Sequence, residues 1–169
     1  MDLKQKSNRG NNNQKNQINM NNVFIKEGAN QMVERINKLS PESKAQWGTM
    51  NIGQMLAHCN VTYDMDFTDK YPKAKGLKKF MLKLFVKSIV VGDKSYSKNG
   101  RTAPDFIITD SREFDTEKTK LVNYITRVQE LGETHYNGRE SHSFGKLELK
   151  EWNNMFYKHL DHHLKQFGV

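Results

Sequence analysis

Apolar residues recur at helical spacing in five stretches of the chain, divided by polar or glycine-punctuated segments. In the first, Phe24, Ala29, Met32, Val33, Ile36 and Leu39 share one side, which predicts a helix over Val23 to Leu39. Ser40-Pro41 ends it, because proline disfavours a helical residue before it and suits a new first turn after it. A second helix is predicted from Asn51 into the mid-sixties, with Ile52, Met55, Leu56, Cys59 and Tyr63 inward and His58 bordering that side. Leu77 to Val91 reads as a short helix within a long connection, 69–114, which Gly92, Asn99-Gly100 and Pro104 then punctuate. Phe106-Ile107-Ile108 reads as a short extended piece, and strong strand signals are missing. A further helix fits Asp115 to Leu131, with Gly132 at its C-terminal cap, and 133–145 reads as a second loop. The last helix runs from Glu148 to Phe167 and stops at Gly168.

Four long helices with one long crossover after the second predict an all-α single domain over 23–169: a four-helix bundle carrying an extra short helix. Residues 1–22, MDLKQKSNRGNNNQKNQINMNN, lack apolar anchors and are expected to form a disordered polar tail. At 169 residues the chain has the length of one ordinary domain.

Composition narrows the function classes. No apolar run is long enough to cross a bilayer, and no secretory signal is visible near the N-terminus. The single cysteine, Cys59, excludes an internal disulfide, and these features together set the expectation of a cytoplasmic protein. Net charge is +8, but residues 70–101 alone hold ten Lys/Arg against Asp93, or +9, and residues 1–22 add +3. The rest therefore carries 8 − 9 − 3 = −4, so the basic balance belongs to one segment and no nucleic-acid partner is expected.

Within that segment, GLKKFMLKLFVKSIVV (76–91) is basic and amphipathic, with Lys79, Lys83 and Lys87 opposite Leu77, Phe80, Met81, Leu84 and Phe85. Such a helix can lie on an anionic membrane surface or in a partner's groove. The commoner arrangement closes one end of a bundle with the lysines in water, and that is the expectation here.

Candidate chemistry sits in the last helix. His159, His162 and His163 fall within KHLDHHLKQF, and the stripe Trp152, Phe156, His159, His163, Phe167 follows spacings of 4, 3, 4 and 4. Two imidazoles are thus placed one turn apart among large apolar side chains. A buried imidazole needs partners for both ring nitrogens, and a metal ion satisfies one nitrogen on each ring. His58, on another helix, can supply a third ligand, leaving an open coordination position of the kind reactive sites keep. Against this, a lone histidine at a core border is more often a hydrogen-bonded structural residue. His162 is offset by about 100° and is expected to face solvent or a second partner; it is the substitute ligand if the register differs. Asp161 is expected to face solvent too. Cys59 and the tryptophans Trp47 and Trp152 read as packing residues, while Tyr63, Asp64, Tyr157 and His142 are polar groups that can line the mouth of a site.

The run FGKLELKEWNNMFYKHLDHHLKQFGV, with His142 just before it, resembles the signature of a small bacterial family, the domain of unknown function 1569. That family lies within the DinB/YfiT-like metalloenzyme superfamily. WGTMNIGQMLAHCN (47–60) resembles its other motif, and RTAPDF (101–106) a weaker one between them. The resemblance covers Phe24 to Val169; it departs after His142, where Ser143-Phe144-Gly145 replaces a stretch with a proline and two phenylalanines. It implies a four-helix bundle of up-down-down-up type in which His58, His159 and His163 hold one divalent transition metal, zinc or nickel foremost. It also implies an enzyme acting on a small-molecule substrate by thiol transfer or hydrolysis, with two-fold association a common form. The rival expectation is a metal- or ligand-binding module without catalysis.

Overall fold

The structure is a computed structural model that describes residues 21–169. The predicted tail therefore lies outside the described residues up to position 20. Asn21 and Asn22 are held on the helices: the Asn21 carbonyl accepts from Asn153 Nδ2, and Asn22 Nδ2 donates to Glu133, both at 2.9 Å.

Helix α1 spans Lys26–Asn37 and buries Ala29, Met32 and Ile36 along one side, as the spacing predicts. Helix α2 spans Ile52–Phe67 and starts in a capping box. Asn51 Oδ1 accepts from the Gln54 amide at 2.9 Å, and Gln54 Oε1 accepts from the Asn51 amide at 3.1 Å. Every residue from Met55 to Asp64 is buried, so α2 is enclosed on nearly all sides. Its polar residues in that run, His58, Asn60, Thr62 and Asp64, must therefore find partners inside the protein.

The crossover holds helix α3 (Gly76–Met81), a π-helical turn over Leu82–Val86, and helix α4 (Lys87–Val91). A 3₁₀ turn over Pro104–Phe106 takes up the first residue of the expected extended piece, and Ile107 follows it in extended backbone. Helix α5 spans Phe114–Tyr136 and is broken at Gly132, whose φ of 67° and ψ of −177° are not helical. A side chain is strained at that φ, so the glycine expected as a cap is instead a kink, after which a last turn extends to Tyr136. The loop that follows contains a two-stranded antiparallel ribbon, β1 (Glu140–Ser141) with β2 (Gly145–Lys146). Helix α6 spans Leu149–Gln166, again opened by a capping box, between Glu148 and Glu151.

Helices α1, α2, α5 and α6 pack on one another around a single core. Trp152, Tyr136, Phe156 and Phe24 form its aromatic centre, with Tyr63 stacked on Phe156 at 5.1 Å between ring centroids. Lys158 of α6 ties the crossover down: its ammonium donates to the Ile89 and Gly92 carbonyls, at 2.8 and 2.5 Å, at the C-terminal end of α4. A cation suits the negative end of a helix dipole.

The 76–91 segment is turned over relative to expectation. Lys79 and Lys87 face the protein, paired with Glu140 (2.5 Å) and Glu151 (2.7 Å). Leu77, Phe80, Leu84, Phe85 and Ile89 face solvent. The reason is a second apolar set, Leu82, Val86, Val90 and Val91, which is the one that packs on the core. The segment carries more apolar positions than one seam can cover, so one set is left outside.

Candidate metal centre

His58 on α2 and His159 and His163 on α6 converge. One ring nitrogen from each lies within 4.8 Å of the other two. The ring centroids stand 4.5 to 4.9 Å apart. His58 and His163 are buried, at 5% and 7% exposure, and His159 is partly buried.

The outward nitrogen of each ring is anchored to a different part of the chain. His58 Nδ1 donates to the Phe106 carbonyl at 2.8 Å, His159 Nδ1 meets the Thr62 hydroxyl at 2.9 Å, and His163 Nδ1 donates to Gln166 Oε1 at 2.8 Å. Gln166 is oriented in turn by donating its Nε2 to the Trp47 carbonyl at 2.6 Å. With Nδ1 occupied in all three, Nε2 is the nitrogen left to face the shared space. Metal-ligating histidines have this pattern: a hydrogen-bond partner on one nitrogen fixes ring orientation and tautomer while the other binds.

His58 Nε2 and His159 Nε2 are 2.9 Å apart. Because the Phe106 carbonyl can only accept, neutral His58 carries its proton on Nδ1 and its Nε2 is a bare acceptor. In the neutral cluster His159 then donates from Nε2 and accepts from Thr62 at Nδ1. With an ion between the rings the His159 proton would sit on Nδ1 instead, and the Thr62 hydroxyl, able to donate or accept, could serve both states. Two nitrogens on a tetrahedral ion stand about 3.3 Å apart, given bonds of about 2.0–2.1 Å. The 2.9 Å pair brackets this from below and the 4.8 Å limit from above, so the third donor has at most about 1.5 Å to travel. The donor set fits a divalent transition ion: three neutral imidazoles, no thiolate and no carboxylate.

Burial holds all three imidazoles below the ordinary histidine range. Desolvation is the main cause at each: His163 is lowered to about 3, His159 well below its usual value, and His58 in the same direction despite its bond to Phe106. Three rings this close cannot all be charged, and neutral imidazole is the ligand form.

His162 is not part of the convergent group; its ring stands edge-on to Trp47 and Tyr96, at 5.9 and 5.7 Å. Asp161, expected in solvent, is instead paired with Arg35 and Lys165, both at 2.8 Å, because α1 passes alongside α6 there. Of the groups assigned to a site mouth, none joins the cluster. Asp64 is buried and accepts from Tyr124 (2.7 Å) and Lys120 (2.8 Å). Tyr63 is stacked in the core, and His142 bonds to Ser143 and the Tyr71 carbonyl. Cys59 is wholly buried, which pushes its thiol up and leaves it protonated.

The residues that do touch the rings are Thr62, Gln166, Phe106 and Tyr96, with the Trp47 carbonyl behind Gln166. Sequence reasoning did not give them a site role, although Thr62 lies four residues after His58 and Gln166 three after His163, spacings that share a helix face. Gly53 explains how Phe106 arrives. A Cβ on Gly53 would stand 2.3 Å from the Arg112 carbonyl oxygen, so the strap after the 3₁₀ turn lies directly on the α2 backbone.

Fold and site together define a mostly helical protein with a largely buried three-histidine cluster bridging two of its helices. The chain belongs to the protein family of unknown function DUF1569, whose model matches residues 19–168. No curated protein and no solved structure matches it.

Proposed function

We propose that His58, His159 and His163 bind one divalent transition ion, zinc or nickel, in a protein built as a DinB-like four-helix bundle, and that the ion serves an enzyme acting on a small molecule. The observation that carries this reading is the anchoring of all three outward nitrogens, to Phe106, Thr62 and Gln166, with the inward nitrogens sharing one space. Structural histidines need no such common target. When bound, the ion supplies Lewis acidity and acidifies a coordinated thiol or water. The chain's own residues hold the rings, keep them neutral by burial, and wall the site with Phe106 and Tyr96. Tyr96 donates to the Val90 carbonyl at 3.2 Å, and its hydroxyl is pushed up by burial, so it orients and excludes water rather than transferring protons. Three protein ligands leave a coordination position for substrate, which supports thiol transfer or hydrolysis over a purely structural ion.

The test is elemental analysis of untagged protein beside a His159→Ala, His163→Ala double variant. Close to about one equivalent of metal in the wild type, lost in a variant that keeps its helical circular dichroism, supports the site and directs a screen of thiols with electrophiles and of hydrolysable esters and amides. Failure of the wild type to take up added zinc or nickel overturns it and leaves a ligand-binding module without catalysis.

A further inference from the structure

We infer that the outward face of the 76–91 segment is a docking surface for an anionic lipid bilayer. Leu77, Phe80, Leu84, Phe85 and Ile89 are 58 to 76% exposed, and Met81 adds 45%. These positions belong to three consecutive short elements, α3, the π-helical turn and α4, so they form one continuous outward ridge of large apolar side chains. A soluble protein seldom leaves so many large apolar residues in water unless something covers them. The chain's own core does not: Leu82, Val86, Val90 and Val91 already fill the seam beneath.

Charge identifies the occupant. Residues 70–101 hold ten Lys/Arg against one acidic residue, and that residue, Asp93, is engaged by Lys150 and Asn154. Lys73, Lys75, Lys78 and Lys94, in or next to the same segment, are exposed. A second copy docked through this face would bring two lysine-rich surfaces together, which opposes association. An apolar ridge flanked by lysines is instead the pattern of a helix lying in a membrane interface. There the rings enter the acyl boundary and the ammonium groups meet lipid phosphates, each cation near the surface adding to the attraction. Lys79 and Lys87, paired with Glu140 and Glu151, and Lys158, on the carbonyls of α4, hold the ridge outward on the folded domain. The surface is thus presented by the fold and needs no unfolding to engage. This inference stands apart from the metal site and uses none of its residues.

The test is cosedimentation of the full chain with vesicles of equimolar phosphatidylcholine and phosphatidylglycerol, beside phosphatidylcholine alone. Binding to the anionic vesicles is expected, weakened by raised salt. A Phe80→Ser, Phe85→Ser variant is expected to lose at least about tenfold in partitioning, since both side chains are exposed and their removal leaves the core intact. A Lys75→Glu, Lys78→Glu variant is expected to lose the preference for anionic lipid. Absence of binding to anionic vesicles, or equal binding to neutral ones, overturns the proposal. So does a concentration-dependent dimer in sedimentation velocity that the phenylalanine variant abolishes, because the face then belongs to a second copy.

Discussion

His58 Nε2 and His159 Nε2 stand 2.9 Å apart although 101 positions of sequence separate the two residues. Two buried nitrogens at that distance share a single proton or a single ion. Burial keeps both rings neutral, so the pair is a hydrogen bond in the metal-free protein and a half-built ligand set when a cation is present. The Thr62 hydroxyl on the far side of His159 lets the ring change tautomer between the two states.

Metal uptake is therefore expected to stabilise the fold. An ion that binds only the native chain adds about 2.7 kcal/mol at a hundredfold excess over its dissociation constant. Thermal unfolding with and without added zinc or nickel, and after chelation, measures this. The rise should vanish in His163→Ala.

Thr62→Val removes the one partner of His159 Nδ1 at nearly constant volume. Loss of the group that orients a ligating histidine weakens metal binding by about 10- to 100-fold. Competition with a chromogenic chelator reads that loss directly. A change confined to unfolding temperature, with metal affinity untouched, would count against the tautomer role.

Acidification should weaken the metal-free fold well above the range of carboxylates. An imidazole that stays neutral in the folded chain still protonates in the unfolded chain near its ordinary value, about 6.5. For His163, lowered to about 3, the unfolded state binds more protons throughout the interval between those values, so stability rises with pH and is lost as pH falls below about 6.5. The slope is at most about 1.4 kcal/mol per pH unit for one group. Urea midpoints followed across the neutral-to-acid range, with His163→Gln as the control that flattens part of the slope, check it.

Much of this was legible in the sequence because apolar periodicity is local. The stripe Trp152, Phe156, His159, His163, Phe167 needs only a helix to place two imidazoles on the core side, and α2 needed only its own pattern to carry His58 toward that side. The motif resemblance added the pairing of those two helices. What stayed hidden depends on long-range contact: the Phe106 carbonyl reaches His58 from a loop 48 residues away, and Trp47 reaches Gln166 across 119. No periodicity encodes a backbone carbonyl as a partner. The inverted face of 76–91 was hidden for a different reason. Two apolar sets share one helical segment, and local spacing does not say which packs inward; the inward set leaves Lys79 and Lys87 beside Glu140 and Glu151 and α4 within reach of Lys158, all long-range contacts.

Gly53→Ala tests the link from that loop to the metal centre. The added methyl would stand 2.3 Å from the Arg112 carbonyl oxygen, closer than non-bonded atoms tolerate, so the strap or α2 must give way. Overpacking of this kind costs about 1–3 kcal/mol. A strap lifted off α2 also draws the Phe106 carbonyl away from His58, freeing that ring to turn. The variant should thus lose stability in its metal-free form and, separately, lose metal affinity beyond what the stability change accounts for. Phe106→Ala on its own, which keeps the carbonyl, should not reproduce the affinity loss, because the bond to His58 Nδ1 is made by the backbone and not by the ring. If Gly53→Ala lowers stability alone and leaves chelator competition unchanged, the strap is only a covering for α2, and the orientation of His58 comes from its own helix.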